Sequence, residues 1–156
     1  MKKTLTTLVA LALAIGMLVP MAIPVAAAGS GSLVTGGGTI RYGGKVVISM
    51  SGWVGFTDSG EIVGNFQVID HQGKDIYKCK TPDFTYLAFY GDEAASPTAA
   101  YNTAEFIGTF YNKYDTPVTL TIVITDNAET GGGADTVDAN GNWGGVKLST
   151  GNFQVH

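Results

Sequence analysis

Val118, Leu120, Ile122 and Ile124 alternate with Thr119, Thr121 and Thr125, the clearest period of two in the chain. Aliphatic side chains on one face and threonines on the other suit a half-buried antiparallel strand. Ala104, Phe106, Gly108 and Phe110 form a second such face, opposed by Thr103, Glu105 and Thr109. Lys45 to Phe56 and Glu61 to Asp70 predict a hairpin around Asp58-Ser59-Gly60. Asp75 to Lys80 and Asp83 to Tyr90 read as a further pair of strands, broken at Pro82. Leu33 to Tyr42 reads as the first strand, with Gly36-Gly37-Gly38 as a bulge or bend. Val146 to Leu148 and Asn152 to Val155 read as the closing strands. The expected core holds Phe66, Val68, Phe106, Phe110, Leu120, Ile122 and Ile124. No helical period is sustained beyond Ala28. About nine or ten short strands with turn residues between them predict an all-β fold, an antiparallel β-sandwich or distorted barrel. Gly91 to Ala100, rich in Ala, Ser and Pro, reads as a surface loop.

The start of the chain breaks this pattern. Lys2 and Lys3 precede an almost wholly apolar run from Leu5 to Ile23, and Ala26-Ala27-Ala28 fits a small-residue cleavage site. This is the layout of a secretory signal peptide. Pro20 and Pro24 argue against a retained membrane helix. Residues 1–28 are thus expected to be removed, and 29–156 to form one secreted or cell-surface domain, with no membrane association after cleavage. Without Lys2 and Lys3, seven basic residues face thirteen acidic ones, a net charge of −6. Such a surface repels phosphate backbones, so nucleic acid is not an expected partner. Cys79 is the sole cysteine, which excludes an internal disulfide. Its place in an apparent strand predicts burial as a small hydrophobe.

A short echo runs through the pattern. Gly64-Asn65-Phe66-Gln67-Val68 recurs as Gly151-Asn152-Phe153-Gln154-Val155. In each copy Phe and Val face the core while Asn and Gln face the other way. The echo reads either as two similar core strands or as two strands showing an amide ladder to a ligand or partner.

Four pieces in order carry a resemblance. They are Val34-Thr35-Gly36-Gly37-Gly38-Thr39-Ile40; Gly64 to His71; Val123-Ile124-Thr125-Asp126-Asn127 followed by Gly131 to Asp135; and Gly151 to His156. Together they resemble the post-COAP domain family of small secreted or surface-attached bacterial domains. The family's run of V-T-G-G-G, Y/F-x-x-x-D-H, T-D-N-G-E-x-G…D-T and G-N-I-Q-x-H is matched in order. The chain departs from it at Ala128, where Gly is usual, and at Cys79, where the family often has His or a small residue. The resemblance implies an all-β extracellular domain and supplies no reaction.

Candidate chemistry is sparse. Asp126, Asn127, Glu129 and Asp135 gather three carboxylates and an amide in a Gly-rich loop. Ca²⁺ takes six to eight oxygen ligands from such loops, so these four residues are the candidate metal site, and Ca²⁺ the candidate cofactor. The competing reading is an acidic turn that caps a strand. On the Ca²⁺ reading, Asp135→Asn is expected to abolish metal binding without unfolding the domain. Asp138-Ala139-Asn140-Gly141-Asn142 reads as a turn, since Asn-Gly is a strong hairpin signal. Asp70-His71 sits before Gln72-Gly73 and reads as a turn histidine, because no nucleophile elbow or oxyanion donor accompanies it. Trp53, Trp143 and the tyrosines 42, 86, 90, 101, 111 and 114 either pack or include a platform for stacking sugars. No catalytic residues are identified. The chain is expected to be a secreted, non-enzymatic binding or surface-assembly module, its partner an extracellular ligand, polysaccharide or surface protein. The alternatives are a carbohydrate-binding module and a secreted hydrolase using His71 and the acidic loop.

Overall fold

The computed structural model describes residues 31–91, 101–127, 135–141 and 144–156. The expected signal segment, most of the loop before Tyr101, Glu129 and Trp143 lie outside them. Among the described residues ten strands follow in chain order: β1 (Leu33–Tyr42), β2 (Lys45–Phe56), β3 (Ile62–Asp70), β4 (Asp75–Lys80), β5 (Phe84–Tyr90), β6 (Thr103–Tyr111), β7 (Pro117–Thr125), β8 (Thr136–Ala139), β9 (Val146–Lys147) and β10 (Thr150–Val155). They form one sheet in the order β10-β1-β2-β3-β4-β6-β7-β8-β9, with β5 paired to β6. The sheet is antiparallel and curls into a half-barrel, the distorted form of the expected all-β fold. Among the described residues no helix is long and apolar enough to cross a membrane.

Alternation explains the core. Phe66, Phe106, Phe110, Ile122, Ile124, Phe153 and Val155 are all fully buried, and Val68 nearly so. Leu120 departs from expectation and is only half-buried, like Val118 before it. Both pack partly against the core and also line a cavity at one end of the half-barrel.

Two strand-level expectations are corrected. β4 and β5 do not pair with each other. The chain makes a tight turn at Thr81-Pro82, where Asp83 N–H donates to the Lys80 carbonyl at 2.8 Å, but it changes partner from β3 to β6 across that turn. Thr81 N–H still bonds the Gly64 carbonyl of β3, while the Asp83 carbonyl already accepts from Thr109 on β6. Pro82 has no N–H to give either ladder, so the switch falls there. The bulge in β1 is not at the glycines. Gly36, Gly37 and Gly38 keep regular register with Gly52, Ser51 and Met50, and the register shifts between Ile40 and Arg41.

The glycines serve close packing. Phe153, Gly36, Gly52 and Phe66 are neighbours in one row across β10, β1, β2 and β3. Three strand spacings separate the two phenylalanines, roughly 14 Å along a flat sheet. Their rings nevertheless stack, with centroids 6.0 Å apart and planes at 22°. The bare backbone between them and the curl of the sheet bring the rings together.

Candidate functional site

Asp126 follows β7 and Asp135 precedes β8, and both are buried, at 3% and 0% exposure. Their carboxylates meet the outer edge of β10. Leu33 and His156 exchange both backbone bonds, at 3.2 and 2.8 Å. Pairs alternate along an antiparallel ladder, so the N–H groups of Phe153 and Val155 point away from β1. Asp135 Oδ2 accepts from Phe153 N–H at 2.8 Å, and Asp126 Oδ2 accepts from Val155 N–H at 3.2 Å. Asp135 Oδ1 also accepts from Asn127 N–H at 3.2 Å. Two carboxylates therefore stand where a neighbouring strand would supply carbonyls. Asp126, Asn127 and Asp135 come together at this edge, while Glu129 lies outside the described residues. Among the described residues no group of three or more His, Cys, Asp or Glu side chains is placed to hold a metal ion.

His71 is not brought to this loop. Its Nε2 lies 2.8 Å from Ser49 Oγ, a cross-strand pair that sequence reading missed because the two stand 22 residues apart. Asp70 does not orient the ring, since its Oδ1 accepts from the N–H groups of Gln72 and Gly73 at 2.8 and 3.0 Å. Cys79 is fully buried in the row of Phe66 and makes no pair with a histidine. Burial, with Asp83 adding a lesser repulsion, pushes its thiol up to about 12. A thiol so reluctant to ionise is a poor nucleophile and a poor metal ligand. Asn140 and Gly141 have φ of 55° and 67°, as the expected turn requires.

The outward face of β10-β1-β2-β3-β4 has a different character. One row across it reads Gln154, Thr35, Trp53, Asn65 and Lys80. The next reads Asn152, Gly37, Ser51, Gln67, Lys78 and, on β6, Tyr111. The echoed strands thus turn all four of their amide side chains to the same face, with two strands between them. Gln67 Nε2 donates to Ser51 Oγ at 3.0 Å, and Thr39 and Thr150 join their hydroxyls at 2.6 Å. Trp53 stands 43% exposed in the first row. No side chain in either row is acidic, although the domain as a whole carries excess negative charge.

A shallow cleft of about 520 Å³ continues this face, lined by Asn65, Lys78, Lys80, Asp83, Tyr111, Asn112 and Asp115. It follows from the topology: β4 meets β6 through the pair Lys78 and Tyr111, and the strands diverge around it. The remaining aromatics are dispersed. Tyr101 packs against the core. Tyr42 and Tyr114 are the most exposed, and Lys113 sits 5.0 Å over the Tyr114 ring. Tyr90 donates to Glu105 Oε2 at 3.1 Å, on the outside of β5 and β6. Burial, then the charge and hydrogen bond of Glu105, raises the Tyr90 phenol to about 12.

Compared with known proteins, the chain matches no family model, no curated protein and no solved structure.

Proposed function

We propose that this chain is an exported, non-enzymatic binding module whose ligand is a polysaccharide laid across the outward face of β10-β1-β2-β3-β4. The observation that carries the reading is the shared orientation of Asn65, Gln67, Asn152 and Gln154 around exposed Trp53. Amides both donate and accept, and so match the dense hydroxyls of a sugar chain. An indole offers a flat apolar surface to the C–H face of a sugar ring and a polar edge to solvent. The resemblance to secreted post-COAP domains supports an extracellular setting. Assembly by strand addition finds less support, because the β10 donors at Phe153 and Val155 are already held by carboxylates. Electrophoresis through gels containing soluble polysaccharides tests the reading. The protein is expected to be retarded by at least one of them, and Trp53→Ala to migrate freely. Equal retardation of both proteins contradicts it.

The Ser49–His71 contact favours one second reading, a secreted hydrolase. A serine–histidine pair at 2.8 Å is the start of a nucleophilic site. The carboxylate that would fix the imidazole is committed elsewhere, to the turn at Gln72 and Gly73. A fluorophosphonate probe discriminates: labelling of Ser49 supports the hydrolase, and no labelling supports the binding module.

A further inference from the structure

A separate concavity of about 370 Å³ opens at one end of the half-barrel, between β3 and β4 on one side and β7 and β8 on the other. Its most buried lining residues are Ile122 and Val68, at 0% and 5% exposure. Half-buried Ile48, Val118 and Leu120 complete an aliphatic wall. The concavity is open to solvent, so this wall is apolar surface accessible to a ligand.

Apart from Tyr77 in β4, the polar lining lies at strand ends. Asp70 ends β3, Asn112 follows β6, Thr116 precedes β7 and Asn140 follows β8. Asn112 is held by its own turn and Asn140 by the neighbouring strand β7. Asn112 Oδ1 accepts from the N–H groups of Tyr114 and Thr116 at 2.9 and 3.0 Å. Asn140 Oδ1 accepts from Thr121 N–H at 2.8 Å. Among the described residues Asp70 is the only charged one in the lining; the turn N–H groups of Gln72 and Gly73 hold its Oδ1 at 2.8 and 3.0 Å, so Oδ2 is the oxygen offered to a ligand. The nearby cation Lys113 is engaged with Asp75 at 3.5 Å and does not line the space.

We propose that this cavity is a binding site for a small amphipathic molecule, its apolar body between Leu120 and Ile48 and a cationic, hydrogen-bond-donating head at Asp70. The size falls at the lower end of small-ligand sites, about 300–1,000 Å³, which suits a short alkyl chain or one to two rings. The site is independent of the polysaccharide face. Trp53 belongs to the opposite surface of β2 from Met50 and Val54, which are buried.

The probe is hexylammonium, titrated into the folded domain while methyl resonances are followed by NMR. Saturable shifts are expected at Leu120, Val118 and Ile48, with hexanoate binding at least tenfold more weakly. Leu120→Trp, which fills the space, is expected to abolish the saturation. Asp70→Asn keeps an oxygen for the turn and is expected to erase the preference for hexylammonium over hexanoate. This second variant keeps the test open if Leu120→Trp fails to fold. Trp53→Ala is expected to leave the titration unchanged. Absence of saturable shifts at these methyls, or equal affinity for the two probes in the parent protein, overturns the proposal.

Discussion

The rings of Phe66 and Phe153 stack across a pair of glycines, Gly36 and Gly52, that separate them in the sheet. The contact joins the two copies of the echoed pentapeptide across the curl of the half-barrel. A Cβ at Gly52 would run into the Asn65 carbonyl oxygen and come within 2.7 Å of Phe66 Cα, on a backbone with φ of +146°. Gly52→Ala is therefore expected to destabilise the domain by about 1–3 kcal/mol, read as a lower denaturant midpoint. Gly43, also at positive φ, meets nothing within 4 Å. Gly43→Ala should cost only about 1 kcal/mol, from the left-handed backbone alone. Phe153→Ala should cost about 3–5 kcal/mol. A double-mutant cycle with Phe66→Ala should return a coupling of about 0.5–1.5 kcal/mol.

Asp135 accepts backbone N–H groups with both carboxylate oxygens. An asparagine there turns one acceptor into a donor facing a donor. Asp135→Asn is thus expected to destabilise the fold by about 1–3 kcal/mol, a cost that the sequence reading, which asked only that the domain stay folded, did not include. Thermal melts with Ca²⁺ and with a chelator check this directly. The loss should appear in both conditions, because it comes from the β10 edge and does not require an ion.

Alkaline stability follows from Cys79 and Tyr90. The Cys79 thiol rises from 9.0 to about 12 through burial first and Asp83 second. Tyr90 rises from 10.0 to about 12 through burial first and Glu105 second. In this window the unfolded chain releases protons that the folded chain keeps, so stability falls as pH rises. The contribution is complete below about pH 9 and is lost progressively toward about pH 12. Denaturation midpoints measured across this range should decline, and Cys79→Ala should flatten the first part of the decline.

The period of two made most of β6 and the second half of β7 readable, since burial follows alternation wherever one face packs, while Val118 and Leu120 escape it at the end of the half-barrel. The echo likewise showed which way Phe66 and Phe153 turn. Their contact was not readable, because it depends on the register of β1 and β2 and on Gly36 standing opposite Gly52. β4 and β5 look like a hairpin because Pro82 does sit in a turn, yet the backbone partners on its two sides are Gly64 and Thr109, far along the chain. The acidic loop shows the limit most plainly. An Asp in a Gly-rich stretch carries the same letters whether it binds a metal, caps a turn or seals a strand edge. The role of Asp135 depends on Phe153 arriving 18 residues later with its N–H turned outward. At the outward face, Asn65, Gln67, Asn152 and Gln154 were legible as side chains facing away from the core. Their sharing of one surface with Trp53 required the strand order.

NMR shift mapping tests the central claim most directly. Soluble oligosaccharides prepared from a polysaccharide that retards the protein are titrated into the labelled domain. The account predicts saturable movement of the side-chain amides of Asn65, Gln67, Asn152 and Gln154 and of the Trp53 indole N–H, with the Leu120 and Ile48 methyls unmoved. Movement that spares these five side chains, or no saturable movement anywhere, would contradict it.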